Sequence, residues 1–187
     1  MTPRLRLRLG AAVVAATLLP LAACTPGGDG PSTSPTPTLQ PSPPETSLER
    51  QQRLDFEAAA KSYRAFMEEY NRLAKAGGSL QATPVMKSTA AGPFLAFYTD
   101  ALREQKQQGQ RYTTGVEIGY VKSGAYSSNE LTLEVCEDGS QNKVLDRDGK
   151  EVAAGQILLR AVYVRPIQGR WTLWNGDERD TVQSCTS

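Results

Sequence analysis

GPFLAFYTDALREQKQQGQRYTTGVEIGY, residues 92–120, contains a change of apolar period, and that change decides the fold. Phe94, Phe97, Tyr98, Ala101 and Leu102 recur at three- and four-residue steps, the spacing of one helical face. Gly92-Pro93 opens this helix with proline at a first-turn position, and Gly109 closes it. Its Gln- and Lys-rich end, REQKQQGQ, reads as a solvated last turn. Beyond Gly109 the period drops to two: Tyr112, Thr114, Val116, Ile118 and Tyr120 share one face, as in a strand.

Upstream, the pattern is helical only. Thr46-x-x-Glu49 has the form of a capping box. Phe56, Ala59, Ala60, Tyr63, Phe66, Met67, Tyr70, Leu73 and Ala74 then form an amphipathic stripe that ends at Gly77-Gly78, suited to a left-handed cap. Thr83-Pro84 opens a short helical turn. Downstream, the pattern is strand only. Leu131, Leu133 and Val135 alternate, and further strands are expected at 143–145, 156–165 and 170–174. Asp148-Gly149 and Gln168-Gly169 separate them, the former expected as a type I′ hairpin turn. Helices followed by an antiparallel meander predict an α+β domain over residues 46–187, with the helices packed on one face of a curved sheet.

This order of elements resembles the NTF2-like (SnoaL-like) superfamily, in which helices pack into the concave face of a bent sheet to form a cone. The resemblance spans residues 46 to about 176 and rests on element order; a cystatin-like fold is the rival, normally with one long helix where this chain has two. LEVCEDGSQNKVLDRDGKEV and VRPIQGRWTLWNG look like segments of uncharacterised NTF2-like lipoproteins of high-GC Gram-positive bacteria.

The N-terminal part supports the lipoprotein reading. Arg4, Arg6 and Arg8 precede an uncharged, mainly apolar stretch from Leu9 to Ala23, the layout of a signal peptide at 1–23 and shorter than the roughly 20 residues of a membrane span. It closes on Leu21-Ala22-Ala23-Cys24, which resembles the lipobox of bacterial lipoproteins. That resemblance implies cleavage before Cys24 and a lipid, palmitate among its acyl chains, on its sulfur; an ordinary secretory cleavage leaving an idle thiol is the alternative. Residues 24–45 then form a Pro/Ser/Thr-rich linker with seven of the twelve prolines and one large apolar residue, Leu39. Such composition cannot bury enough surface to order itself, and in extended form its ~21 residues would span up to roughly 65 Å. The expected location is the extracytoplasmic face of the cell membrane, with the membrane as partner through Cys24.

Charge and cysteines narrow the chemistry. The signal holds three of the 21 basic residues and no acid, so the remainder keeps 18 basic and 20 acidic side chains, a formal charge of −2. Nothing in that balance suggests a nucleic-acid partner. In an exported domain Cys136 and Cys185 most simply pair as a disulfide, with two buried thiols as the alternative. Two cysteines without histidine fall short of a zinc site, Asp146-x-Asp148-Gly149 lacks the remaining ligands of a calcium loop, and no cofactor is expected.

The chain contains no histidine, which excludes Ser-His-Asp triads and Cys-His dyads. By resemblance, enzymes of the NTF2-like fold work with an Asp, Glu, Tyr or His inside the cone. Tyr70, Tyr98, Tyr112, Tyr163 and Asp100 are the residues to consider, Asp100 with Tyr98 being the weak catalytic candidates. The plainer reading has the tyrosines filling the core with their hydroxyls at its margin. Two classes therefore remain: a tethered binding or scaffolding module for a small apolar ligand or an envelope protein, and a small isomerase, dehydratase or hydrolase. A pocket filled by Phe66, Tyr70, Phe97, Tyr98 and Trp174 would favour the first. A buried carboxylate within hydrogen-bond reach of a tyrosine would favour the second.

Overall fold

The structure is a computed structural model that describes residues 44–186. The expected signal peptide at 1–23, Cys24 and nearly all of the expected linker lie outside the described residues. Helix α1 spans Ser47–Lys75, α2 Pro84–Thr89 and α3 Gly92–Gln108. Strands follow at Arg111–Tyr112 (β1), Glu117–Tyr126 (β2), Leu131–Asp138 (β3), Lys143–Leu145 (β4), Glu151–Ala154 (β5), Ile157–Ile167 (β6) and Arg170–Val182 (β7). None of the helices among the described residues is long and apolar enough to cross a membrane.

The capping box forms as its residues dictate: Glu49 N donates to Thr46 Oγ1 at 3.3 Å, and Thr46 N donates to Glu49 Oε2 at 2.8 Å. From this start α1 buries Ala59, Tyr63, Phe66, Met67, Tyr70, Leu73 and Ala74, one continuous stripe. Helix α3 buries Phe94, Tyr98, Leu102 and Gln105, and ends at Gly109 with φ of 69°. Both stripes face a four-stranded antiparallel sheet in the order β2-β3-β6-β7. Leu131, Leu133, Val135, Val162, Val164 and Leu173 fill the space between, all essentially inaccessible to water. Bulges at 118/120, 123/126, 159/160 and 163/164 bend the sheet around the helices. The chain is thus α+β, with N-terminal helices packed on a curved antiparallel sheet, as the NTF2-like resemblance implied.

Three sequence expectations are corrected. The alternating run from Tyr112 to Tyr120 is not one strand: β1 pairs with β4 in a second sheet, ordered β1-β4-β5, and the chain joins the main sheet only at Glu117. Two asparagines make the break tolerable by satisfying backbone groups that a ladder would otherwise hold. Asn142 Oδ1 accepts from Thr114 N and Gly115 N, while Asn71 grips Val116 through both its N–H (2.9 Å) and its C=O (2.7 Å).

The hairpin between β4 and β5 is not type I′, because of its central residues only Gly149 has positive φ; Asp146 instead accepts from Asp148 N at 3.0 Å and Lys150 N at 2.9 Å. Positive φ at two successive positions occurs instead at Gln168 (51°) and Gly169 (75°), which join Ile167 to Arg170. The last strand, expected to stop at Trp174, runs on to Val182, because pairing with β6 continues to Ile157↔Val182 after the apolar alternation has faded.

Cys136 and Cys185 form a disulfide. It ties the segment after β7 to β3, on the sheet face opposite the helices. Gly119 leaves room for it, since a Cβ there would stand 2.4 Å from Cys185 Cβ. With a sequence separation of 49 between the cysteines, the bridge contributes roughly 4 kcal/mol in the chain-entropy account.

Candidate functional site

The alternation of β3 places Leu131, Leu133 and Val135 against the helices, and the same parity places Glu137 there too. On β6 it does the same for Arg160, next to Val162 and Val164. Register sets Val135 opposite Arg160 and Glu137 opposite Leu158, so the two charged residues meet diagonally. Glu137 is 4 % exposed, and its oxygens accept from three sources. Tyr63 OH on α1 lies at 2.5 Å and Tyr98 OH on α3 at 3.4 Å from Oε1, while Arg160 Nε lies at 2.8 Å from Oε2. Arg160 Nη2 also stands 3.6 Å from Glu178 on β7.

Electrostatics follow from the burial. Desolvation, and then the charge of Glu137, push the phenols of Tyr63 and Tyr98 well above the ordinary tyrosine range. Tyr70 is pushed up in the same way, by burial first and then by Tyr112, whose hydroxyl lies 3.3 Å from its own. For Arg160, burial opposes the charge, but Glu137, Tyr98 and Glu178 together outweigh it and the guanidinium is held more firmly protonated. Among the described residues no fully buried side-chain nitrogen or oxygen lacks a hydrogen-bond partner.

Two cavities flank this cluster and share Phe97, Tyr98 and Arg160 in their walls. One, of about 310 Å³, lies where the helices meet both sheets, with Met67, Tyr70, Ala101, Tyr112, Val144 and Leu158 as its main apolar wall and Glu137, Asn142, Gln156 and Arg160 as polar points. The other, of about 360 Å³, lies between α3 and β6–β7, against Pro93, Phe94, Asn175, Gly176 and Glu178. Sites of this size with few polar groups are of the kind that take small ligands.

The residues singled out from sequence divide by place. Tyr70, Phe97, Tyr98 and Tyr112 line cavity walls; Phe97, at 60 % exposure, lies at the junction of the two. Phe66 is fully buried in the core, edge-on to Phe94 and Tyr98 at 5.0 and 5.2 Å. Trp174 is half-buried beneath Arg165, 5.3 Å from its ring, and against Gly92, and lines neither cavity. Asp100 is exposed on the outer side of α3, paired with Arg103, and Tyr98 turns to Glu137 instead. Tyr163 lies on the far side of the sheet, bonded to Asp177 at 3.0 Å. Sequence reasoning missed Tyr63, Glu137 and Arg160 as a group. The available signal was a charged residue in phase with an apolar strand face, at Glu137 after Val135 and at Arg160 before Val162.

No protein-family model and no curated protein sequence matches the chain. Solved structures are similar to it at low identity. The intermembrane space region of the chloroplast protein ARC6 is 14 % identical, with a TM-score of 0.46 over 66 % of this chain and 95 % of that one. A protein of unknown function with a cystatin-like fold from Nostoc punctiforme is 15 % identical, with a TM-score of 0.30 over 71 % of this chain and 91 % of that one. What the chain establishes for itself is an α+β domain whose helices and curved antiparallel sheet enclose a buried Tyr63–Glu137–Arg160–Tyr98 cluster between two cavities.

Proposed function

We propose that this chain is an NTF2-like lipoprotein, held through Cys24 at the extracytoplasmic face of the cell membrane, whose domain binds a small apolar ligand in the cavities that meet at Phe97. The observation that carries the binding reading is the exposed Phe97 ring, set between two apolar-walled cavities with a single guanidinium in both walls. An exposed aromatic beside a cavity is surface that a ligand can cover. Titration of the full chain with Nile red, an uncharged apolar dye, tests this. Saturable one-to-one binding that Phe97→Lys abolishes without lowering the melting temperature is the expected result. Non-saturating binding, or binding indifferent to that substitution, overturns it.

The tether has its own test. Cys24→Ala expressed in the native host should leave the membrane fraction, and retention after a salt wash would refute lipid anchoring.

One observation favours the enzymatic reading: Glu137 is a buried carboxylate within hydrogen-bond reach of two tyrosines in a cavity wall. Against it, both Glu137 oxygens already accept hydrogen bonds, one of them from Arg160. Turnover of a hydrophobic ketone, epoxide or hydroxy compound, lost in Glu137→Gln or Tyr98→Phe proteins that remain folded, would decide for an isomerase, dehydratase or hydrolase.

A further inference from the structure

Among the described residues, Arg160 is the one cationic residue in the walls of both cavities. Its Nε is committed to Glu137, and among the described residues its Nη groups make no hydrogen bond, Nη2 standing 3.6 Å from Glu178. A guanidinium carries five N–H donors, so most of its donating capacity remains in the shared wall of the two cavities. Every buried side-chain polar atom among the described residues has a partner, so donors without one are those that water or a ligand reaches.

The charge balance is the opposite of what an anion site needs. One positive group faces two carboxylates, Glu137 at 2.8 Å and Glu178 at 3.6 Å. A ligand carboxylate on the Nη groups would be a third negative charge beside one cation; the charge of Glu137, 5 % exposed, is screened little by water, that of Glu178, 52 % exposed, much more. A neutral oxygen meets the same donors without that repulsion, and the surrounding Phe94, Phe97 and Pro93 accept an apolar body.

We infer that the site binds an uncharged, mainly apolar molecule that presents one hydrogen-bond-accepting oxygen to the Nη groups of Arg160, and that it discriminates against the matching carboxylate. This rests on the cavity-binding reading above and adds the ligand's chemical class.

Three probes with one apolar body separate the possibilities: methyl 2-naphthoate, 2-naphthoate and 2-ethylnaphthalene. Each is titrated against the purified full-length chain, with partition into protein-free detergent micelles subtracted. The ester should bind about tenfold tighter than either the anion or the hydrocarbon, the worth of one hydrogen bond to a charged donor. Phe97→Ala should weaken the ester several-fold at unchanged melting temperature, since the ring is exposed. Glu178→Gln should shrink the ester-to-anion affinity ratio by about twofold, because it removes the outer, half-exposed one of the two negative charges. Equal or tighter binding of the anion, equal binding of the hydrocarbon, or a ratio untouched by Glu178→Gln overturns the inference and leaves the cavity reading standing. If none of the three probes binds, both fall.

Discussion

Residues 136 and 137 are neighbours on β3, yet they secure the domain in opposite ways. Cys136 points away from the helices and is tied to Cys185; Glu137 points toward them and is held by Tyr63, Tyr98 and Arg160. The outer tie is covalent and acts mainly by restricting the unfolded chain, so its value depends on loop length and little on the fit around it. The inner tie exists only in the folded state and depends on burial and hydrogen-bond geometry. One strand therefore carries a covalent fastening on the face away from the helices and a hydrogen-bonded one on the face toward them, both at buried strand positions.

Breaking the outer tie should have the largest effect. Replacing both cysteines with alanine should cost roughly 4 kcal/mol, read as a lower denaturation midpoint, with mass spectrometry of the unreduced protein confirming the bridge in the parent. A loss below about 1 kcal/mol would mean that β7 holds the tail without it.

Breaking the inner tie at its charged end comes next. Arg160→Met leaves Glu137 buried without its cation; such losses run to about 3–5 kcal/mol for fully buried pairs, and the partial exposure of Arg160 brings the expectation to about 2–3 kcal/mol. Chemical denaturation measures it. If this variant is as stable as the parent, the pair is not what orders the cavity wall.

A smaller contrast sharpens the role of the tyrosines. Tyr63→Phe removes the 2.5 Å bond to Glu137 and should cost about 1.5–3 kcal/mol, whereas Tyr98→Phe removes a 3.4 Å contact and should cost about 0.5–1 kcal/mol. Equal losses from the two would show that Glu137 sits evenly between α1 and α3.

The smallest effect near neutrality is that of pH, and it distinguishes the two ties cleanly. The folded state raises the pKa of Tyr63, Tyr70 and Tyr98, so it favours their protonated forms. Their stabilising contribution is complete below the ordinary tyrosine value of about 10 and is lost as pH rises beyond it. Stability should therefore be flat from neutral to about pH 9 and then fall, with these three of the seven tyrosines ionising only as the domain unfolds. Tyrosinate absorbance followed alongside circular dichroism checks this, and ionisation of all seven before any unfolding would contradict it.

How much of this was legible depends on the range of the interaction. The amphipathic stripe of α1, the capping box at Thr46 and Glu49, the closure of α3 at Gly109 and the alternation in β3 are local patterns, and they appear in the structure where the sequence puts them. The break between β1 and β2 was not legible, because Thr114 and Val116 continue a period of two while the backbone leaves one sheet for another on the side chains of Asn71 and Asn142. The far end of β7 was hidden for the converse reason: its residues are polar, and pairing with β6 alone makes them a strand.

The sequence by itself determined most of the apolar residues that turn inward, since helical and strand periods report burial from neighbouring positions alone, though Phe97 on the same period is 60 % exposed. It also left one pair of cysteines in the folded part of the chain to join. Only the tertiary structure decided which inward residues meet. Tyr63 and Tyr98 lie on different helices, and Glu137 and Arg160 on different strands. Their convergence depends on the β3–β6 register and on the seating of α1 and α3 against it. A shift of one residue in that register would turn one of the two charged side chains to the other face, and no local pattern in the chain records the pairing.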